Sequence, residues 1–135
     1  MMTKAAIALL LACTAAAVDE AQTFANLPTG TYRYTTPDSG RLFRTMLLRK
    51  SGSAVIGVEL VGDRASTDVM ALSCFRGQAQ GDRLIYVTRV QPPYDPASEW
   101  QSGQELELAA GVSRDTSLAP AEQTALETCI QLFWR

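Results

Sequence analysis

Three cysteines, Cys13, Cys74 and Cys129, are the soft nucleophiles of this chain, and none of its 135 residues is a histidine. The missing imidazole excludes Ser-His-Asp and Cys-His catalysis, and with them histidine-ligated zinc or copper. Carboxylate, thiol and amine chemistry remains. Asp95 and Glu99 lie close together, a pairing that can act as acid and base or bind calcium. Their spacing carries no specific signature, and acids in a polar stretch are ordinarily solvated. Lys50 beside Ser51 has the composition of a Ser–Lys pair, which needs a buried lysine with a lowered pKa. The polar turn Lys50-Ser51-Gly52-Ser53 predicts an exposed, charged one instead. No Gly-rich phosphate loop, EF-hand or dinucleotide fingerprint occurs. These residues predict a protein that is not an enzyme and holds no cofactor and no metal.

The compartment decides what the cysteines do. Lys4 gives a charged start, Ala5 to Ala12 is an unbroken apolar run, and Ala15, Ala16 and Ala17 follow. This is the pattern of a secretory signal, too short to span a bilayer, which needs ~20 apolar residues. Ala15 and Ala17 fit small-x-small cleavage before Val18, making 1–17 the signal. Leu10-Leu11-Ala12-Cys13 resembles the bacterial lipobox, with Leu11 a less usual middle residue. That resemblance implies a lipoprotein whose signal is 1–12, with Cys13 the lipidation candidate and a membrane attachment. Either route predicts export to the periplasm or beyond. In such an oxidising compartment the remaining pair, Cys74 and Cys129, predicts a disulfide rather than two separate buried thiols.

Composition narrows the class further. Loss of the signal leaves about 120 residues, the size of a single domain. The division expected is a leading segment over 18–29 and a single β-rich domain with a C-terminal helix over 30–135. With Lys4 removed, 11 basic side chains stand against 14 acidic ones, a net charge of −3. A nucleic-acid partner would want a basic domain, so none is expected.

Short runs rich in Tyr, Val, Ile, Leu and Thr, separated by Gly, Pro, Asp and Ser, predict antiparallel strands at about 31–36, 41–50, 54–61, 69–77, 83–91 and 104–109. Thr36-Pro37-Asp38-Ser39-Gly40, Lys50 to Ser53 and Gln80-Gly81-Asp82 supply turn chemistry, and short links favour a meander or small barrel. Alternation places Ile56, Val58 and Leu60 on one side, with Gly57 and Glu59 opposite. Met70, Leu72 and Cys74 share a side by the same count, as do Leu106 and Leu108. One packed face and one wet face are expected. Leu118, Ala121, Ala125, Leu126, Cys129, Ile130 and Phe133 recur at helical spacing, with Glu122, Gln123, Glu127 and Gln131 mainly opposite. A C-terminal helix would set Cys129 over the fourth strand; a final strand over 128–134 is the competing reading.

Gly30-Thr31-Tyr32 at the first strand, the meander and a helix tied by a disulfide together resemble a reduced calycin, the group that includes lipocalins. Tyr32 stands where lipocalins carry the Trp of Gly-x-Trp. Thr67-Asp68 is similar to a lipocalin loop motif, with Val69 in place of its aromatic, and six strands stand for eight. The resemblance implies a barrel; fold alone does not carry function.

Two binding surfaces follow. A barrel mouth lined by Tyr32, Tyr34, Tyr86 and Trp100 would take a small apolar ligand. The segment 91–103 holds three prolines with Tyr94 and Trp100, and long loops often carry function. It would present 92–100 to an envelope protein, in an inhibitor-like manner, or fold its aromatics over an open barrel end. Arg33, Arg41, Arg44, Arg49 and Lys50 concentrate in the first two strands. They would pair with Glu59, Glu105 or Glu107, or meet an anionic ligand or lipid headgroup. The chain is thus expected to be an exported, non-enzymatic binding module of the bacterial cell envelope. Intact mass spectrometry of exported protein tests the maturation. The expected species starts at Val18, or at an acylated Cys13, and gains two hydrogens on reduction; a full-length chain with two free thiols contradicts it.

Overall fold

A computed structural model describes residues 22–37, 42–63, 65–66, 69–108 and 113–134 of the chain. The signal, Cys13 and Thr67-Asp68 lie outside these residues. Seven strands form one antiparallel sheet: β1 (Gly30–Pro37), β2 (Leu42–Ser51), β3 (Ala54–Asp63), β4 (Val69–Gln80), β5 (Arg83–Val90), β6 (Trp100–Glu107) and β7 (Ser113–Asp115). A single 3₁₀ turn (Phe24–Asn26) precedes them and one helix, α1 (Pro120–Phe133), follows. The order β6-β5-β4-β3-β2-β1-β7 is a meander whose seventh strand returns to the far edge. The sheet is not a closed barrel, because no described ladder joins β6 to β7. It nevertheless curls enough for Leu108, just past β6, to share one apolar cluster with Tyr32 and Tyr34 of β1.

Both faces of the central strands are buried, which corrects the expectation of one wet face. Paired residues of antiparallel strands share a face, so the register sorts them. Leu47, Val58 and Cys74 form a row that faces α1 and, with Leu60 and Val90, packs against Leu126 and Cys129 of that helix. Leu48, Gly57 and Phe75 form the adjacent row, facing inward with Val55, Leu84 and Val87. The inward face is filled by the protein itself. Phe24 is fully buried there and meets Tyr32 and Tyr34 edge-on, each at 5.8 Å between ring centroids. Its turn is fastened to the β4–β5 hairpin by the Phe24 N–H to Asp82 Oδ1 (2.8 Å) and the Ala25 N–H to Gly81 O (2.9 Å). Phe24 of this leading segment therefore plugs the inward face.

Lys50 also departs from expectation. Its inward position buries it to 4% exposure; the ammonium donates to Leu27 O (2.9 Å) and Gly52 O (2.6 Å) and lies 6.0 Å from the Phe24 ring centroid. Two carbonyls satisfy the buried charge, while exposed Ser51 takes the other face of the strand, so no Ser–Lys pair forms.

The helix sits on the outer face across β2, β3 and β4. Pro120 opens it, and Glu122 accepts from the Ala119 N–H (2.9 Å) at its N-terminus. Glu122 is not solvated as its place opposite the stripe implies. It is 4% exposed and pairs with Arg33 (3.1 Å), which also reaches Asp115 of β7 (3.1 Å). Burial alone would lower the Arg33 pKa; the Asp115 hydrogen bond and the charges of Glu122 and Asp115 outweigh it and hold it above the usual value. Seven residues on, Cys129 is bonded to Cys74, closing a separation of 55 residues. In the chain-entropy model that loop contributes at most about 4 kcal/mol. Such a bond is compatible with a non-cytoplasmic protein.

One parity expectation fails at Leu72. The register runs Glu59↔Ser73 and then Leu60↔Ala71, so Leu72 is an extra residue in a β-bulge. The bulge moves Ala71 to the helix face with Cys74 and leaves Met70 61% exposed. Gly57 shows how tightly the inner face is packed. A Cβ there would stand 2.5 Å from Phe75 Cζ and 2.6 Å from the Leu47 carbonyl oxygen, which is backbone and cannot step aside. Gly57→Ala is expected to destabilise the fold by about 2–3 kcal/mol, read as a lower urea midpoint at unchanged m-value. An unchanged midpoint would contradict this packing.

Candidate functional site

The interior offers little room for a ligand. Tyr32 and Tyr34, expected at a barrel mouth, are 8% and 6% exposed and belong to the inner core. Tyr32 donates its hydroxyl to Pro28 O (2.6 Å). The recess at the curled edge holds about 90 Å³ and is lined by Arg44, Glu59 and Glu107 as well as Tyr34. Tyr86 and Trp100 lie on the opposite, outer face, so the four aromatics do not converge.

The open cavity lies on that outer face, beside the last turn of α1. Two lobes of about 330 Å³ each meet at Trp134. Arg49, Ser51, Ala54 and Ile56 of the sheet and Ile130, Gln131 and Trp134 of the helix end line the first. The second shares Ala54, Ile56 and Trp134 and adds Arg76, Gly77, Tyr86 and Phe133 among others. The sequence makes the floor low here, since Ala54 has a short side chain. The disulfide at Cys129 holds the helix over β4, which suspends Ile130, Phe133 and Trp134 above the floor.

The walls are aromatic and exposed. Trp134 is 73% exposed and Tyr86 72%. Phe133 meets Trp100 edge-on at 6.4 Å, and the Arg76 guanidinium lies 5.5 Å from its ring centroid. Exposed large apolar side chains gathered in one place mark binding surfaces. Tyr86 adds a backbone sign. Its φ is 54°, in the left-handed region, at an irregularity between Leu84 and Val87. A non-glycine residue there costs about 1–3 kcal/mol, and such strain gathers at functional sites.

The loop is shorter than expected, because β6 begins at Trp100 and leaves 91–99 as connection. Asp95 organises it. Its carboxylate accepts from the Ala97 N–H (2.9 Å), and its carbonyl accepts from Ser98 N–H and Trp100 Nε1–H (both 3.0 Å). Glu99 instead accepts from Gln101 (2.9 Å), so the two acids take different hydrogen-bond partners. Tyr94 packs half-buried into the outer core, and burial pushes its phenol pKa up, keeping it neutral at ordinary pH. Trp100 remains 44% exposed. The loop therefore tucks one aromatic in and leaves the other at the rim of the helix-end cluster. Among the described residues no three Cys, Asp or Glu side chains gather to hold a metal ion.

Sequence reasoning named Tyr86 and Trp100 but missed Trp134, Ile56, Arg49 and Arg76 as a group. A signal was present: Trp134 stands four residues after Ile130, so it continues the helix stripe beyond Phe133. Compared with known proteins, the chain matches no family model, no curated protein and no solved structure.

Proposed function

We propose that this chain is an exported, non-enzymatic binding module of the bacterial cell envelope that takes a small apolar ligand into the groove beside Trp134. The observation that carries this reading is the groove itself: about 330 Å³ in its first lobe, floored by Ile56, walled by Ile130 and capped by an exposed Trp134. Ligand sites are mostly apolar clefts of about 300–1,000 Å³ with a few placed polar groups, and this lobe lies at the lower end. The disulfide supports a life outside the cytosol, and an acylated Cys13 would attach the module to the membrane. A second reading keeps the loop 92–100 as a protein-docking element. Trp100 favours it, being partly exposed with its indole N–H already satisfied within the loop.

N-Phenyl-1-naphthylamine, a neutral apolar fluorophore, tests the first reading. It is expected to bind at a single saturable site with a rise in its emission. Ala54→Trp fills the floor shared by both lobes from an exposed position, so it is expected to weaken binding at least about tenfold with little change in Tm. Wild-type affinity in that variant would remove the groove as the site. Tyr86→Gly separates function from stability. Glycine accepts φ near 54° without a Cβ clash, so unfolding free energy is expected to stay within about 1 kcal/mol of wild type. Probe binding is expected to weaken, and a variant that loses stability while binding normally would make Tyr86 a structural residue only.

A further inference from the structure

The charges around the groove say more about its ligand than its apolar walls do. Arg49, Ile56 and Arg76 are register partners on β2, β3 and β4, so the two arginines stand on either side of Ile56 in one row. Adjacent strands are ~4.8 Å apart, which sets the two backbones roughly 10 Å from each other. Among the described residues no acidic side chain lines either lobe, although acids outnumber bases in the chain, 14 to 12.

The arginines elsewhere in the described residues are treated differently. Arg33 is paired with Asp115 and Glu122, Arg44 with Glu59, and Arg83 with Glu105. Arg49 donates only to the Thr31 hydroxyl, at 3.3 Å, and Arg76 lies against the Phe133 ring. Arg89 also has no carboxylate partner, but its position opposite Phe75 puts it on the inward face. The two groove arginines are thus cations of like sign, close together, exposed, and without a carboxylate among the described residues.

Resting on the reading of this groove as a ligand site, we infer that its ligand is a single-chain anionic amphiphile. The chain lies along Ile56 and Ile130 under Trp134, and the carboxylate or phosphate head meets Arg49 or Arg76 at the rim. Guanidinium groups match both heads with paired N–H donors. The modest volume of each lobe suits one chain rather than the two of a bilayer lipid. The opposite charge relieves the repulsion between the arginines, which a neutral ligand leaves in place.

Displacement of N-phenyl-1-naphthylamine from the disulfide-intact protein tests the charge preference. The competitors are dodecanoate, dodecyl phosphate, dodecanol and dodecyltrimethylammonium, each below its micelle-forming concentration. At least one of the two anions is expected to bind about tenfold more tightly than dodecanol; the tighter anion identifies the head. Arg49→Gln with Arg76→Gln is expected to erase that difference, bringing the affinity ratio of anion to dodecanol to about one. Equal binding of anion and alcohol, preference for the cation, or an anion preference that survives the double substitution overturns the inference. Any of these leaves the groove itself standing as a site for apolar ligands. If neither the fluorophore nor any amphiphile binds, the groove reading fails first. Sedimentation supplies one more outcome. A dimer that Ala54→Trp converts to monomer gives the face to a second copy of the chain and overturns the inference.

Discussion

A sheet whose central strands are apolar on both sides must bury both, and most features of this molecule follow from that constraint. Cys74 and Phe75 are neighbours in β4, and the pleat sends them to opposite faces. The inward face is satisfied by curling and by inserting Phe24, while the outward face is satisfied by laying α1 across β2 to β4. Neither solution suffices alone. An open sheet covered only by the helix would leave Leu48, Val55, Phe75 and Leu84 in water, and burial of one such side chain is worth about 1.5–3 kcal/mol. A curled sheet without the helix would expose Leu47, Val58, Leu60 and Val90 instead.

The two-sided burial also explains why the fold was more legible than the site. Alternation and turn chemistry locate six strands because these signals are local. The helix is legible for the same reason, through its three-and-four spacing. Alternation cannot tell a solvent-facing side from one covered by a distant segment. Gly57 and Glu59 read as a wet face, yet Gly57 lies beneath the Phe75 ring, which only the fold brings there. Phe24 gave no periodic signal because one aromatic in a short polar stretch has none to give. The bulge at Leu72 inserts a residue, so parity counted through it inverts and assigns Met70 to the wrong side. The start of β6 is hidden because Gln101-Ser102-Gly103 has no β-branched or aromatic residue, and β7, Ser113–Asp115, is three residues long. The groove draws on β2, β3, β4, β5 and the helix end, so no window of sequence contains it.

The calycin resemblance implies a barrel, and the expected ligand site at its mouth rests on Tyr32, Tyr34, Tyr86 and Trp100. The packing separates these four residues between two faces. Tyr32, at the position that suggested the likeness, is spent on the plug: its ring meets Phe24 and its hydroxyl closes onto Pro28. Phe24 is seated among Tyr32, Tyr34, Leu48 and Val87, and the recess beside Tyr34 holds about 90 Å³ against about 330 Å³ for each outer lobe. Large exposed aromatics appear instead where the helix ends. A soluble domain ordinarily shields such rings, and here Trp134 and Tyr86 are the most exposed of the large apolar side chains described.

Helix and groove are linked by where the helix is tied down. Its first turn is held electrostatically through Glu122 and Arg33, and its third is held covalently through Cys129 and Cys74. The groove lies just beyond the second tie, so Ile130, Phe133 and Trp134 keep their height above Ile56 only while that tie holds. The floor belongs to the sheet and survives without the bond; the roof belongs to the helix and depends on it. A cytosolic, reduced chain would retain the inner core around Phe24 but lose the constraint worth up to about 4 kcal/mol that positions the roof. The bond between Cys74 and Cys129 therefore positions the groove's roof as well as stabilising the fold.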